Sequence, residues 1–189
     1  MMALVSLHTR IFTALETTLA PILMPTLARF VFAATLMVYY WNSGMTKLGE
    51  GITGLFQPNF NAYVQILPRM SEAVGYDASQ LGAFWRLVVL AGTWAEFILP
   101  ALILLGLFTR LAALGMIGFI LVQSYVDIVG HGVSSDVIGA WFDAGADSLI
   151  LDQRAFWVFL LAFMVFRGAG PVSVDAALRA RAMPQTSAA

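Results

Sequence analysis

The stretch FWRLVVLAGTWAEFILPALILLGLFTR, from Phe84 to Arg110, decides the class of fold. From Leu87 to Phe108 it is apolar enough to cross a bilayer as a helix, which takes about 20 residues. A carboxylate, Glu96, lies near the middle of this segment. Because a charge at the centre of a membrane helix costs at least about 2.5 kcal/mol, Glu96 is expected to face other helices, water or a partner rather than lipid.

The composition of the whole chain is also that of a membrane protein. Of its 189 residues 60% are hydrophobic and 11% are charged, whereas soluble domains carry about a quarter charged residues. The net charge of −1, without a cluster of Lys or Arg, argues against a nucleic-acid partner. The chain has no cysteine, which excludes disulfides, thiolate zinc sites and cysteine-ligated iron–sulfur clusters. His8 and His131 lie outside the apolar spans, so a bis-histidine haem in the bilayer is excluded as well.

Four segments are predicted to span the membrane, and they define an all-α integral membrane four-helix bundle. They cover residues 27–46, 84–108, 111–129 and 155–166. The fourth is short for a span, since it reaches the required length only with residues 168–171 or with residues upstream of Arg154.

The basic residues predict the orientation of the bundle. Arg10, Arg110 and Arg167 lie at one end of the predicted spans, together with Arg179 and Arg181 in the tail. The loop between spans three and four is acidic. Both termini are therefore predicted to be cytoplasmic, with the two long loops on the outer side.

The two ends of the chain are predicted to lie outside the spanning domain of residues 25–178. Residues 1–24 form an amphipathic helix, with apolar residues on one face at helical spacing, as in helices that lie in the membrane interface. Pro21 and Pro25 are expected to break this helix and turn the chain into span one. Residues 179–189 are predicted to be a disordered cytoplasmic tail.

Polar side chains form a stripe on each of the first two spans. Those of span two are Arg86, Thr93 and Glu96, which share their arc with Pro100, and those of span one are Thr35, Tyr39, Asn42 and Thr46. Helical spacing places each set within a narrow arc. Packing of the two stripes would give Glu96 hydrogen bonds from Asn42 or Tyr39, and from Lys47 at the outer end. Such a site either fixes helix packing, binds a quinone or other small ligand, or handles protons or substrate.

Span three and the outer loop carry further features. Gln123 and Asp127 share one face near the outer boundary, while Ala112, Gly115 and Gly118 predict close helix packing. In the loop 130–154, His131 and Asp136 are weak metal candidates without the spacing of a defined site, so no metal is predicted. Asp152 is expected to cap the fourth helix.

Several segments together resemble the DoxX family of four-helix bacterial inner-membrane proteins. They are residues 29–47, which end in SGMTKL, EFILPALILLGLFTR from Glu96 to Arg110, DQRAFWVFLLAFM from Asp152 to Met164, and RGAGPVSVD from Arg167 to Asp175. The positions that match the family pattern are Arg29, Gly44, Lys47, Glu96, Arg110, Gly170 and Asp175. The resemblance implies an inner-membrane location but no catalytic residue set, because members range from subunits of thiosulfate:quinone oxidoreductase to maturation factors and components of copper-binding-peptide systems.

Three functions follow as hypotheses. The first is the quinone-proximal membrane subunit or accessory of an oxidoreductase complex, without independent catalytic activity and without an intrinsic cofactor, the quinone being the ligand. The second is a non-enzymatic assembly, maturation or stress-response factor whose outer loops contact a periplasmic client. The third is a small transporter, which four spans without inverted repeats disfavour. The expected partners are the lipid bilayer and a protein in the membrane or periplasm, and the oligomeric state is left open.

Overall fold

The computed structural model describes residues 1–182, and this part is all-helical, with four helices long and apolar enough to cross a membrane. They are α1 (Met2–Met45), α4 (Ala83–Leu105), α5 (Thr109–His131) and α7 (Leu149–Arg167). Four shorter helices are α2 (Phe60–Ile66), α3 (Pro68–Ala73), α6 (Ser135–Ile138) and α8 (Val174–Ala182). The four spans form the predicted all-α membrane bundle.

Each long helix of the bundle packs against two others. α1 contacts α4 and α7, and α5 also contacts α4 and α7. Their shared core consists of large side chains with almost no exposed surface, among them Phe32, Tyr40, Ile103, Met116 and Leu161. Large apolar side chains such as Phe30 and Phe159 instead lie on the outside of the bundle. This arrangement is expected in lipid, which solvates apolar side chains but not polar ones.

The predicted break at Pro21 and Pro25 is wrong, because α1 is one continuous helix of 44 residues. Two π-helical turns interrupt its α-helical pattern, Leu15–Leu19 and Ala33–Met37. The first of them contains the carbonyl, four residues before Pro21, that loses its usual N–H donor. Membrane helices tolerate proline where such local π turns accommodate the missing bond.

The fourth span is longer than its apolar run. α7 begins with a π-helical turn, Leu149–Gln153, and therefore includes Arg154 within the helix. Asp152 stabilises the start of α7, because its carboxylate accepts a hydrogen bond from the N–H of Ser148 at 3.0 Å. Residues upstream of Arg154 thus supply the missing length, one of the two options that the sequence left.

The predicted disorder of residues 179–189 is wrong for residues 179–182, which belong to α8. Ser173 accepts a hydrogen bond from the N–H of Ala176 at 3.1 Å and begins this helix. The residues that follow are mainly Ala, Leu and Arg, which are strong helix formers. Residues 183–189 lie outside the described part of the chain.

Candidate ligand site within the helix bundle

Glu96 forms a buried ion pair with Lys47. Glu96 lies in the middle of α4, and Lys47 follows the last turn of α1 by two residues. The Lys47 ammonium lies 3.1 and 3.0 Å from the two carboxylate oxygens, and each side chain is only 5% exposed. The negative charge of Glu96 inside the bundle is thus paired with the positive charge of Lys47, as a low-dielectric environment requires.

Ser43 completes this ion pair from α1. Its hydroxyl donates to Oε1 of Glu96 at 3.0 Å and lies 2.7 Å from the ammonium of Lys47. Lys47 also donates to the carbonyl oxygen of Ser43 at 3.1 Å. Gly44 allows α1 and α4 to come this close, since a Cβ there would lie 2.6 Å from the ring of Phe97.

The partners predicted for Glu96 from the stripe of span one do not contact it. Asn42, Tyr39, Thr35 and Thr46 are exposed, while the buried face of α1 is formed by Phe32, Leu36, Tyr40 and Gly44. The prediction fails because hydroxyls need not face protein: Thr35 donates to the carbonyl of Val31 in its own helix, at 2.7 Å. Lys47, whose long side chain reaches back along α1, takes the place assigned to Asn42 and Tyr39.

The predicted stripe of span two is partly buried in the bundle and partly exposed. Thr93, Glu96 and Pro100 are buried on the face expected from the sequence. Thr93 donates to the carbonyl of Val89 at 2.8 Å. Arg86 is exposed near the outer end of α4 and does not join them.

A second ion pair links α5 and α7, and sequence reasoning missed it. Arg154 donates to Asp127 at 2.6 Å and to the hydroxyl of Ser124 at 2.9 Å, and its side chain is 3% exposed. This pair was not predicted because the sequence places Arg154 in the loop before span four. The available signal was that Asp127 and Arg154 are the charged residues nearest the facing ends of spans three and four.

Gln123 connects this region to α1. Its amide nitrogen donates to the hydroxyl of Tyr39 at 3.1 Å, and its amide oxygen accepts from Tyr40 at 3.4 Å. Tyr39 therefore belongs to the Gln123 cluster on α5 rather than to Glu96. Gln123 and Asp127 therefore link α5 to α1 and to α7, respectively.

A cavity of about 420 Å³ lies between these polar groups. Lys47 and Glu96 line one side of it, and Gln123 and Asp127 line the other. The remaining wall is mainly apolar or small, contributed by α4 and α5: Val88, Ala91, Gly92, Ala95, Leu99, Gly115, Gly118, Phe119, Val122 and Val126. A largely apolar chamber with a few convergent polar groups is the usual form of a small-ligand site.

The small residues of α5 have two different roles. A Cβ on Gly115 would lie 3.1 Å from Leu99, so α4 and α5 are in close contact there, as predicted. A Cβ on Gly118 would meet nothing within 4 Å. Gly118 and Val122 are also exposed on the outside of the bundle, next to Ala91 of α4. The cavity therefore opens sideways between α4 and α5. The opening lies next to Gly118, closer to the end of α5 than the contact at Gly115.

The outer end of the cavity is covered by the segment that precedes α4. Gln65 and Ile66 of α2 line it, and His131 hydrogen-bonds the carbonyl of Gln65 at 3.1 Å. Asp136 lies in α6 and does not line the cavity. Within residues 1–182 no group of three or more His, Cys, Asp or Glu side chains could hold a metal ion.

At the opposite end of the bundle Arg29 holds three segments together. Its buried guanidinium donates to the carbonyls of Ile103 and Leu104 at the end of α4, and to those of Ala169 and Val172 after α7. Gly106 has φ +67°, and a Cβ there would lie 2.8 Å from Cζ of Arg29. The turn between α4 and α5 therefore needs glycine at this position.

Asp175 adds a second link at the same end. Its carboxylate accepts hydrogen bonds from the N–H groups of Phe108 and Thr109, at 2.8 and 3.0 Å, where α5 begins. Partial burial alone would raise the pKa of Asp175, but these N–H donors outweigh it and hold the pKa below its usual value. Gly170 packs against Pro25 in the same region, and Arg110 lies exposed beside Gly168.

Fold and site together define a four-helix membrane protein with a buried Lys–Glu pair beside an intramembrane cavity. The sequence model of the DoxX family matches residues 24–126, more than half of the chain, and the chain therefore belongs to the DoxX family. The match includes the Lys47–Glu96 pair and ends before α7, so the likeness of later segments rests on their motifs. No curated protein and no solved structure matches the chain.

Proposed function

We propose that this protein is a quinone-proximal membrane subunit of an oxidoreductase complex and that it holds the quinone ring in the cavity beside Lys47 and Glu96. The observation that carries the proposal is a buried ion pair at the wall of a chamber that opens sideways between membrane helices. A lipophilic ligand dissolved in the bilayer would reach this chamber without crossing water. A purely structural ion pair would need no chamber beside it.

The residues that line the cavity fit a quinone ring. Its volume of about 420 Å³ lies within the range of roughly 300–1,000 Å³ that small-ligand sites occupy. Carbonyl oxygens of such a ring are acceptors, and the cavity offers donors in Lys47, Gln65 and Gln123. Apolar side chains of α4 and α5 would cover the faces of the ring.

A bound quinone supplies two-electron, two-proton redox chemistry, and the residues of this chain would supply binding and protons. Lys47 would donate a hydrogen bond to the ligand, and the Glu96 carboxylate would hold a proton at the cavity wall. The cysteine-free sequence offers no thiolate for an electron carrier. Electrons would therefore come from a partner protein, and this subunit would have no catalytic activity alone.

The charges at the two ends of the bundle support an inner-membrane orientation with both termini in the cytoplasm. The end that carries the chain termini holds Arg10, Arg29, Arg110, Arg167, Arg179 and Arg181 against Glu16 and Asp175. The other end is acidic. An excess of Lys and Arg marks the cytoplasmic side of membrane proteins.

Two substitutions on opposite walls of the cavity test the proposal. Glu96→Gln is expected to abolish quinone-dependent electron transfer in native membranes while the protein still inserts, because the ion pair is lost. Gly118→Phe is expected to lower the quinone that co-purifies by about tenfold or more, which corresponds to about 1.4 kcal/mol of binding free energy, because its ring fills the opening. Bound quinone is measured by mass spectrometry of gently solubilised protein.

Glu50→Gln is the matched control, since Glu50 is exposed at the same end and does not line the cavity. It should leave both measurements unchanged. Full electron transfer in the Glu96→Gln variant, or undiminished quinone in the Gly118→Phe variant, would contradict the proposal.

An assembly or maturation factor is the second candidate, and the tip of the outer loop favours it. Phe142 is fully exposed and has a left-handed backbone with φ +66°, which is strained for a non-glycine residue. Trp141 beside it is 64% exposed, and Asp143 and Asp147 follow. An exposed aromatic pair with carboxylates is suited to contact a basic client protein.

Phe142→Ser separates this candidate from the first. If the loop recruits a client, the variant should bind that client at least about tenfold more weakly and should show the growth or maturation defect of the deletion strain, at unchanged abundance. Quinone content should stay the same. A wild-type phenotype in this variant, together with a defective Glu96→Gln, would reject the assembly role.

A further inference from the structure

A second groove lies on the other side of the bundle, between α1 and the last part of α7. Its volume is about 880 Å³. The apolar residues that line it are Ala20, Met24, Phe159, Ala162, Phe163 and Phe166. Ala20 and Ala162 are small and leave space between the phenylalanines that line the groove. None of these residues belongs to the cavity beside Lys47 and Glu96.

Two opposite charges lie at one end of this groove. Glu16 and Thr17 line it from α1, and Arg167 lines it from the last residue of α7. Both Glu16 and Arg167 are exposed, and neither makes an ion pair within the 182 residues described. Glu16 is also the one charged residue in the helical stretch LETTLAPILMP, from Leu15 to Pro25.

The groove has the length of a lipid chain segment. Phe159 and Arg167 are eight residues apart in one helix, which corresponds to roughly 12 Å along the bundle axis. The charged end is at the side where both chain ends lie, and the apolar end points toward the middle of the bundle. A ligand of matching shape has a charged head and an apolar tail.

We propose that this groove binds one phospholipid with a primary ammonium head group, of the phosphatidylethanolamine class, in the leaflet on the side of the chain ends. Arg167 would bind the phosphate through its planar guanidinium. The carboxylate of Glu16 would accept hydrogen bonds from the ammonium. Phe159, Phe163 and Phe166 would contact an acyl chain.

The pair of charges discriminates among the common phospholipids. Phosphatidylcholine carries a quaternary ammonium, which has no N–H to donate to Glu16. Phosphatidylglycerol has a negative phosphate and no cation, so Glu16 would repel it. Of these three classes, the primary ammonium class offers Glu16 both a positive charge and N–H donors, and this preference makes the site distinguishable from the general lipid contact of any membrane helix.

Native mass spectrometry of the full-length protein with each lipid tests the proposal. Wild type should bind phosphatidylethanolamine roughly threefold to tenfold more tightly than phosphatidylglycerol, the value of an exposed charge-assisted contact. Glu16→Gln should remove this preference, whereas Arg167→Gln should weaken the binding of all phospholipids. Ala162→Phe, which fills the apolar groove, should abolish the tight adduct.

Glu72→Gln and Arg10→Gln are the matched controls, because both residues are exposed and outside the groove. They should retain the wild-type lipid preference. Equal retention of phosphatidylethanolamine and phosphatidylglycerol by wild type would overturn the proposal. So would an unchanged preference in Glu16→Gln, or a protein dimer that is lost in Ala162→Phe in place of a lipid adduct.

Discussion

Lys47→Met is expected to destabilise the protein by about 3–5 kcal/mol, the usual cost of removing one partner of a buried ion pair. The variant leaves Glu96, which is 4% exposed, without an opposite charge and with the neutral hydroxyl of Ser43 as its hydrogen-bond donor. An unpaired carboxylate in a low-dielectric bundle is costly whether it stays ionised or takes up a proton. The free energy of unfolding in mixed detergent micelles, from a denaturing-detergent titration, measures the loss.

The double variant Lys47→Met/Glu96→Gln gives the control for this prediction. It removes both charges, so it should recover most of the stability that Lys47→Met loses. The two single losses are therefore expected to be strongly non-additive, as for residues in direct contact. Additive losses would show that Lys47 and Glu96 act independently and would contradict the ion pair.

Arg29→Leu is expected to cost at least about 2 kcal/mol, because four carbonyl groups lose a donor at once, two of them buried, and each unsatisfied buried group costs about 1–3 kcal/mol. The carbonyls of Leu104, Ala169 and Val172 come from two segments that Arg29 joins. We expect low accumulation and faster proteolysis of residues 168–173. The yield of monodisperse protein and limited proteolysis measure both effects.

Two further variants, Arg29→Lys and Arg110→Leu, are the controls for this prediction. Lysine keeps the charge but lacks the planar spread of donors, so its stability should lie between wild type and Arg29→Leu. Arg110 is an arginine at the same end of the bundle, but it is exposed, so Arg110→Leu should stay within about 0.5 kcal/mol of wild type. An equal loss in Arg110→Leu would point to net charge rather than to the carbonyl contacts.

The spans and the buried position of Glu96 could be predicted from the sequence, because both depend on local apolar length and on the cost of a charge in lipid. The partners of Glu96 were predicted only in part. Lys47 was named as a donor and forms the ion pair, whereas Asn42 and Tyr39, which helical spacing favoured, do not contact Glu96. Side-chain reach is a tertiary property that periodicity does not encode.

Arg154 and Gly118 show two other limits of the sequence. Arg154 was assigned to a loop because the apolar run begins after it, yet a π-helical turn extends α7 upstream. Gly118 matched the pattern of close packing that holds at Gly115, but it lines open space. Whether a small residue closes or opens a gap depends on how two helices diverge, which their separate sequences do not specify.

The two ion pairs have a consequence for how the chain enters the membrane during synthesis. Lys47–Glu96 joins the first long helix to the second, and Asp127–Arg154 joins the third to the fourth. In each case a positive and a negative charge come from consecutive spans, so a nascent chain that stops after one member exposes an uncompensated charge to the translocon or to lipid. Neutrality is restored when the following span arrives, so the helical hairpin, and not the single helix, is the smallest unit in which each pair of charges is complete.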